Sequence, residues 1–300
     1  MLRRLEGKIV DGLVTVQANR ATFKDLAELV KRDYKIKQRR SRADVDRRFE
    51  KHILPILGDL RALAITGDTI SQYIEKRLDE GAAKNSIDLE LASIKRAYSL
   101  ARKNGMPITT PAIEMFHEKN PRQGFFREDH FRSALQHANP LLRDFLIVGY
   151  YTGWRHKSIL KLEWTGVDWK NQVLRHRETK NSKATIFPLE PFPELVEALK
   201  RRLEAARGLI TPWVFQRNGA RVRSIRKAWE IAREKAGIPG RTIHDLRRTA
   251  VRNLKEAGWS DTQIMSMVGL KTLSMLLWYG ISVEDDILRK AKTMAKIQHL

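Results

Sequence analysis

RTIHDLRRTAVRNLKEAGWSDTQIMSMVGLKTLSMLLWYG, residues 241–280, holds the densest set of local signals in the chain. Thr242 and Asp245 stand three apart just ahead of an apolar run, the spacing of a capping box. Leu246, Ala250 and Leu254 repeat every four residues, which predicts a helix over about 243–257. His244 and Arg247 then share one face near the helix's positive end. An imidazole and a guanidinium beside free backbone N–H groups suit a phosphate oxygen. Gly258 stops that helix, Ser260 caps the next, and Ile264, Met267 and Val268 form its apolar face up to Gly269. Leu273, Leu276 and Leu277 lead to Tyr279, which Gly280 follows.

Each of these signals also has a plainer reading. A His-x-x-Arg pair on a helix is usually a solvated or ion-paired face, and a tyrosine beside a tryptophan is usually core packing. Order and spacing favour the functional reading. The block resembles the C-terminal signature of the tyrosine recombinase (phage integrase) family: His-x-x-Arg, a glycine-containing turn, then a nucleophilic tyrosine. Those positions are His244, Arg247, Gly269 and Tyr279.

Two more stretches carry the same resemblance, in the family's order. YYTGWRHKSILKLEWTGVDW, residues 150–169, is similar to the family's first-arginine motif and places the catalytic arginine at Arg155. Ser158 stands where the family usually has a structural Glu. TKNSK, residues 179–183, lies between two strand-like runs and resembles the β-hairpin lysine motif. Lys180 takes the lysine's place, with Lys183 the alternative; without the resemblance either is an exposed hairpin charge. The phrase SIKRAYSLA, residues 93–101, resembles the end of the family's core-binding domain.

Composition agrees with a DNA-acting protein. Lys and Arg total 57 against 35 Asp and Glu, a formal net charge of +22 spread through both halves of 300 residues. That is the electrostatic footprint of a polyanion binder, with nucleic acid favoured over an anionic membrane. At 42% hydrophobic, with 7 Trp and 10 Phe, there is material for real cores. The absence of cysteine excludes disulfides, thiolate zinc sites and a cysteine nucleophile. No apolar run is long enough for a bilayer and no signal-peptide core opens the chain, so a cytoplasmic protein of prokaryotic or viral origin is expected.

The expected architecture is mainly α with a small β-sheet. Residues 1–20 form an arm of unassigned role, with a short hairpin over 8–16. Residues 21–105 form a helical core-binding domain of four helices, the first capped by Thr22, with Pro55 and Gly58 breaking the chain within 53–60. Lys35, Lys37, Arg39, Arg40 and Arg42, in a basic run broken by Tyr34 and Phe49, are candidate DNA contacts; a solvated helical face is the plainer alternative. Residues 106–124 read as a linker, and 125–300 as an α+β catalytic domain of tyrosine recombinase type. Within it a short strand is expected at 213–215, a basic helix over 221–236 with Ile225, Trp229 and Ile231 inward, and a tail helix over 283–300.

The resemblance implies a site-specific recombinase that cleaves and rejoins DNA through a 3′-phosphotyrosyl intermediate. Arg155 and Arg247 hold the non-bridging oxygens, Lys180 protonates the leaving 5′ oxygen, His244 assists proton transfer or donates to the phosphate, and Tyr279 attacks. No metal or other cofactor is required. The implied partners are double-stranded DNA and further copies of this chain, a tetramer on DNA, with no membrane. One departure bears on activity: Leu270 stands where the family has a His or Trp that donates to the scissile phosphate. Losing such a donor costs roughly a hundred- to a thousandfold in rate unless Lys271 or Trp278 compensates. Gly280 and Ile281 also replace the usual small residue and His. A DNA-binding architectural or regulatory relative, catalytically impaired, is therefore the alternative. A type IB topoisomerase is disfavoured by the separate core-binding domain.

Overall fold

The computed structural model describes residues 20–117, 124–176, 185–277 and Tyr279. The chain is mainly helical with small antiparallel sheets, and divides into two compact units, Met1–Asn120 and Pro121–Leu300. The expected hairpin at 8–16 and tail helix at 283–300 lie outside the described residues.

In the first unit, α1 (Phe23–Ile36) opens on a capping box in which the Thr22 N–H donates to Asp25. It buries Phe23, Leu26, Ala27 and Val30. α2 (Arg42–Arg48) does not break at Pro55 as the sequence suggests. It runs through a π-helical turn, Phe49–Ile53, into α3 (Leu54–Leu57). The Leu54 N–H donates to the Phe49 carbonyl, five residues back, so the ladder has already shifted where proline has no N–H to offer. α4 (Gly67–Asp79) is capped by Thr66, and α5 (Lys84–Lys103) buries Ile87, Leu91, Ile94, Ala97, Tyr98 and Leu100. Phe23 sits between Phe49 and Tyr98, its ring 6.4 and 6.0 Å from theirs. The buried Arg77 guanidinium forks onto Glu90 with two 3.0 Å bonds, and Tyr73 donates to the same carboxylate at 2.7 Å, joining α4 to α5.

In the second unit, α6 (Glu128–His137) precedes α7 (Pro140–Thr152), which is apolar nearly all round and lies between the later helices α9 and α11. α8 (His156–Ile159) is one turn. β1 (Val167–Asp168), β2 (Val173–His176) and β3 (Thr185–Pro188) form an antiparallel sheet in that order, with Leu174 opposite Phe187 and His176 opposite Thr185. α9 (Pro193–Glu204) is tied to α7 by the buried Asp144, which accepts from Nε of Arg201 at 2.8 Å and of Arg202 at 2.6 Å.

The strand expected at 213–215 lies slightly later. Trp213 makes only an isolated bridge with Glu163, and the hairpin is β4 (Gln216–Arg217) with β5 (Ala220–Arg221) around an Asn218-Gly219 turn. Arg221 therefore belongs to a strand, and the basic helix α10 begins later (Arg226–Lys235). Ile231 is 56% exposed rather than inward; Trp229 and Ala232, three apart, take the buried stripe. α11 (Ile243–Glu256), α12 (Asp261–Val268) and α13 (Leu273–Leu277) follow, with Gly269 in the left-handed conformation after α12.

Candidate active site

The site is built on the first turn of α11. The Thr242 N–H donates to Asp245 at 2.8 Å, and Asp245 is fully buried. That capping box fixes how the helix begins and hence where residues 244, 247 and 248 point.

Arg247 is not on a solvated face. It is 2% exposed. Its Nη1 donates to the carbonyls of Gly153 and Val268, each at 2.8 Å, and its Nη2 to that of Gly269 at 3.4 Å. Gly153 caps the C-terminus of α7, and Val268 and Gly269 end α12. Helix C-termini leave carbonyls without intrahelical partners and carry the negative end of the dipole. A guanidinium inserted between two such ends satisfies them, and they offset the desolvation of its charge. The remaining direction is aimed at Tyr279: Nε donates to its phenol oxygen at 2.8 Å. Tyr279 is itself half-buried against the core.

His244 is partly open to solvent and partly enclosed, its ring 6.0 Å from that of Tyr279 and inclined by 37°. Its imidazole is held below the ordinary histidine value, first by desolvation and then by the guanidinium groups of Arg247 and Arg248; Asp245 pulls the other way. His156 adds a small repulsion, which puts the residue after Arg155 within electrostatic reach of His244. Arg155 itself precedes α8, two positions after the carbonyl that Arg247 grips, and its own carbonyl accepts from Ser158 at 2.7 Å and Ile159 at 3.0 Å. Ser158, in the place of the usual Glu, is buried.

Lys180 and Lys183 lie outside the described residues, but the roots of the segment that holds them, at the ends of β2 and β3, are described. At one root, His176 has its ring 5.5 Å from Trp154, whose indole N–H is bonded to the Met267 carbonyl at 2.8 Å. At the other, Thr185 lies so close to Gly269 that a Cβ there would come within 2.8 Å of its methyl group. Both roots therefore lie beside the backbone at 153–154 and 267–269 that carries the carbonyls bonded by Arg247.

Leu270 is 7% exposed and belongs to the hydrophobic core; its N–H donates to the Met265 carbonyl at 2.8 Å, closing the turn after α12. Lys271 is exposed and Trp278 lies outside the described residues. Arg248, which no motif singles out, also stands here. Its Cζ lies 6.0 Å from the centre of the Tyr279 ring. The signal was present, since residue 248 is four after His244 and shares its face.

Lys35, Lys37, Arg39, Arg40 and Arg42 are all exposed, spanning the end of α1, a turn and the start of α2 in the first unit. Lys37 pairs with Asp33, Arg42 with Asp46 at 3.3 Å, and Arg39 lies over the Tyr34 ring at 5.0 Å. Among the described residues no cluster of His, Asp and Glu could hold a metal ion, and no helix is long and apolar enough to cross a membrane.

Residues 125–284 match the phage integrase family. The virulence plasmid integrase pGP8-D of Chlamydia muridarum is 30% identical over 174 residues, 56% of this chain and 50% of that protein. The chain thus spans about half the length of this relative. Lambda integrase, solved as a dimer bound to a COC′ core site, superposes with a TM-score of 0.72 at 20% identity, covering 89% of this chain and 80% of that one. Lambda integrase solved as a tetramer bound to a Holliday junction gives 0.70 at 19% identity, covering 85% and 79%. Both likenesses are likenesses of fold.

Proposed function

The chain belongs to the phage integrase family, and from that premise we propose that it is a site-specific DNA recombinase working through a 3′-phosphotyrosyl intermediate. The observation that carries this reading is the 2.8 Å bond from Arg247 Nε to the Tyr279 phenol, made by a guanidinium that is otherwise locked to helix-end carbonyls. A tyrosine held this way by a buried cation has been aimed, and an aimed nucleophile removes much of the entropy of attack.

In the proposed reaction the Tyr279 oxygen attacks phosphorus as the phenol proton departs toward His244, whose surroundings favour the neutral ring, the form with a nitrogen open to a proton. The bond from phosphorus to the 5′ oxygen breaks, and Lys180 delivers a proton to that oxygen. Arg155 and Arg247 neutralise the non-bridging oxygens, where charge builds in the transition state. Rejoining is the same step reversed, with a 5′ hydroxyl attacking the phosphotyrosine, so the bond energy is retained and no ATP is consumed. We assign residues 21–105 to gripping DNA, with Lys35, Lys37, Arg39, Arg40 and Arg42 on phosphates, 106–124 to the linker, and 125–300 to catalysis. The proposal includes assembly as a tetramer on DNA, the state in which lambda integrase was solved on a Holliday junction.

A second reading, an impaired DNA-binding relative with an architectural or regulatory role, is favoured by one observation: Leu270 is a core residue and offers the phosphate nothing. A nicked suicide DNA, made on the site selected by this protein from a random pool, separates the two. Recombinase chemistry gives a covalent protein–DNA adduct that Tyr279→Phe abolishes. Absence of adduct from the wild-type protein at every concentration would leave the architectural role.

A further inference from the structure

We propose that Arg248 supplies the scissile phosphate with the hydrogen-bond donor that Leu270 cannot, completing an anion site over the phenol of Tyr279. This rests on Tyr279 being the nucleophile.

Three observations converge. The Arg248 and Arg247 guanidinium carbons stand 6.0 and 5.7 Å from the centre of the Tyr279 ring, so two cations lie near one phenol. Arg247 is immobilised by the backbone carbonyls of Gly153 and Val268, but the Nε of Arg248 is buried and meets no acceptor among the described residues. A buried N–H without an acceptor is destabilising, and two guanidinium groups drawn to one spot repel each other. A phosphodiester oxygen above the phenol offsets the repulsion, and it gives the Arg248 guanidinium an acceptor once that side chain turns outward from its buried position. Contact with the ring alone does neither, because a cation–π interaction leaves the N–H groups still needing acceptors. Leu270, by contrast, is anchored in the core and cannot turn outward without exposing that core.

The anion site and the cleavage reaction can be tested separately. With 3-fluorotyrosine at position 279 of the full chain, inorganic phosphate is titrated and the fluorine resonance followed. Arg248→Ala is expected to raise the phosphate midpoint by roughly ten- to a hundredfold, the range for a lost charge-assisted bond. Arg248→Lys should fall between. Arg252→Ala, whose partner is Glu256, should leave the midpoint unchanged. On suicide DNA, Arg248→Ala should slow adduct formation on an ordinary scissile phosphate. It should have little effect where a methylphosphonate replaces that group, because one charged oxygen is gone. An unchanged phosphate midpoint, or equal slowing on both DNAs, would overturn the role of Arg248 while leaving a Tyr279-dependent adduct intact. A phosphate response that needs Arg248, with no adduct from the wild-type protein, would keep the anion site and remove the recombinase.

Discussion

At the scale of single residues, Arg247 ties the fold to the proposed chemistry. Its guanidinium closes the ends of two helices and leaves one nitrogen for the phenol. Residue chemistry also sets a pH dependence. His244 has a folded-state affinity for protons below its ordinary value of 6.5, from desolvation and two neighbouring arginines. The fold therefore favours the neutral ring. Its contribution to stability is intact above the unfolded value and is lost as pH falls from there through the lowered folded-state value, because over that range the unfolded chain binds the proton more readily. Thermal unfolding at pH 7.5 and 5.5 should show the wild type losing stability on acidification and His244→Gln losing less. The same direction at His156, caused by burial and Lys157, remains in both proteins. Identical losses would remove His244 from that account.

At the scale of elements, α11 is held by the segment that leads into α6. Gly124 lies against the Asp245 carboxylate so closely that a Cβ would stand 2.9 Å from all three of its outer atoms. The Phe126 N–H donates to Thr249 Oγ1 at 2.8 Å, that hydroxyl donates to the Asp245 carbonyl at 2.8 Å, and Arg252 lies 4.1 Å over the Phe125 ring. Gly124→Ala should push the carboxylate off its capping bond and destabilise the second unit by about 1–3 kcal/mol, the usual range for overpacking. Denaturant unfolding measures it. Gly67→Ala, where the new methyl would meet Ala112 at an ordinary 3.4 Å, is the comparison. Equal effects would mean that Gly124 is not a close-approach position. Elements were legible wherever a cap or a glycine stop was local, as at Thr22, Thr242, Ser260 and Gly269. Local rules failed where the backbone or the packing took another course. Pro55 was absorbed by a π turn, and Ile231 lost the buried stripe to Ala232.

At the scale of the whole molecule, a formal charge of +22 makes electrostatics the first expectation for DNA binding. Each phosphate neutralised releases counterions, so the logarithm of affinity should fall with the logarithm of salt at a slope of about −0.9 per contact. Measured by anisotropy between low and moderate salt, a steep line is expected. A flat one would exclude a backbone clamp.

The helix boundaries set by side-chain caps were present in the linear chain, because each depends on neighbours a few residues away; the order of the motifs and the candidate nucleophile were present as a resemblance to a family pattern. Tertiary structure alone decided that Arg247 is buried and reaches carbonyls 94 and 21 residues distant. It alone turned Leu270 into the core and set Arg248 beside the phenol with an unanswered N–H. Those outcomes depend on which helix ends meet, and that is settled by packing between segments with no local signal for one another.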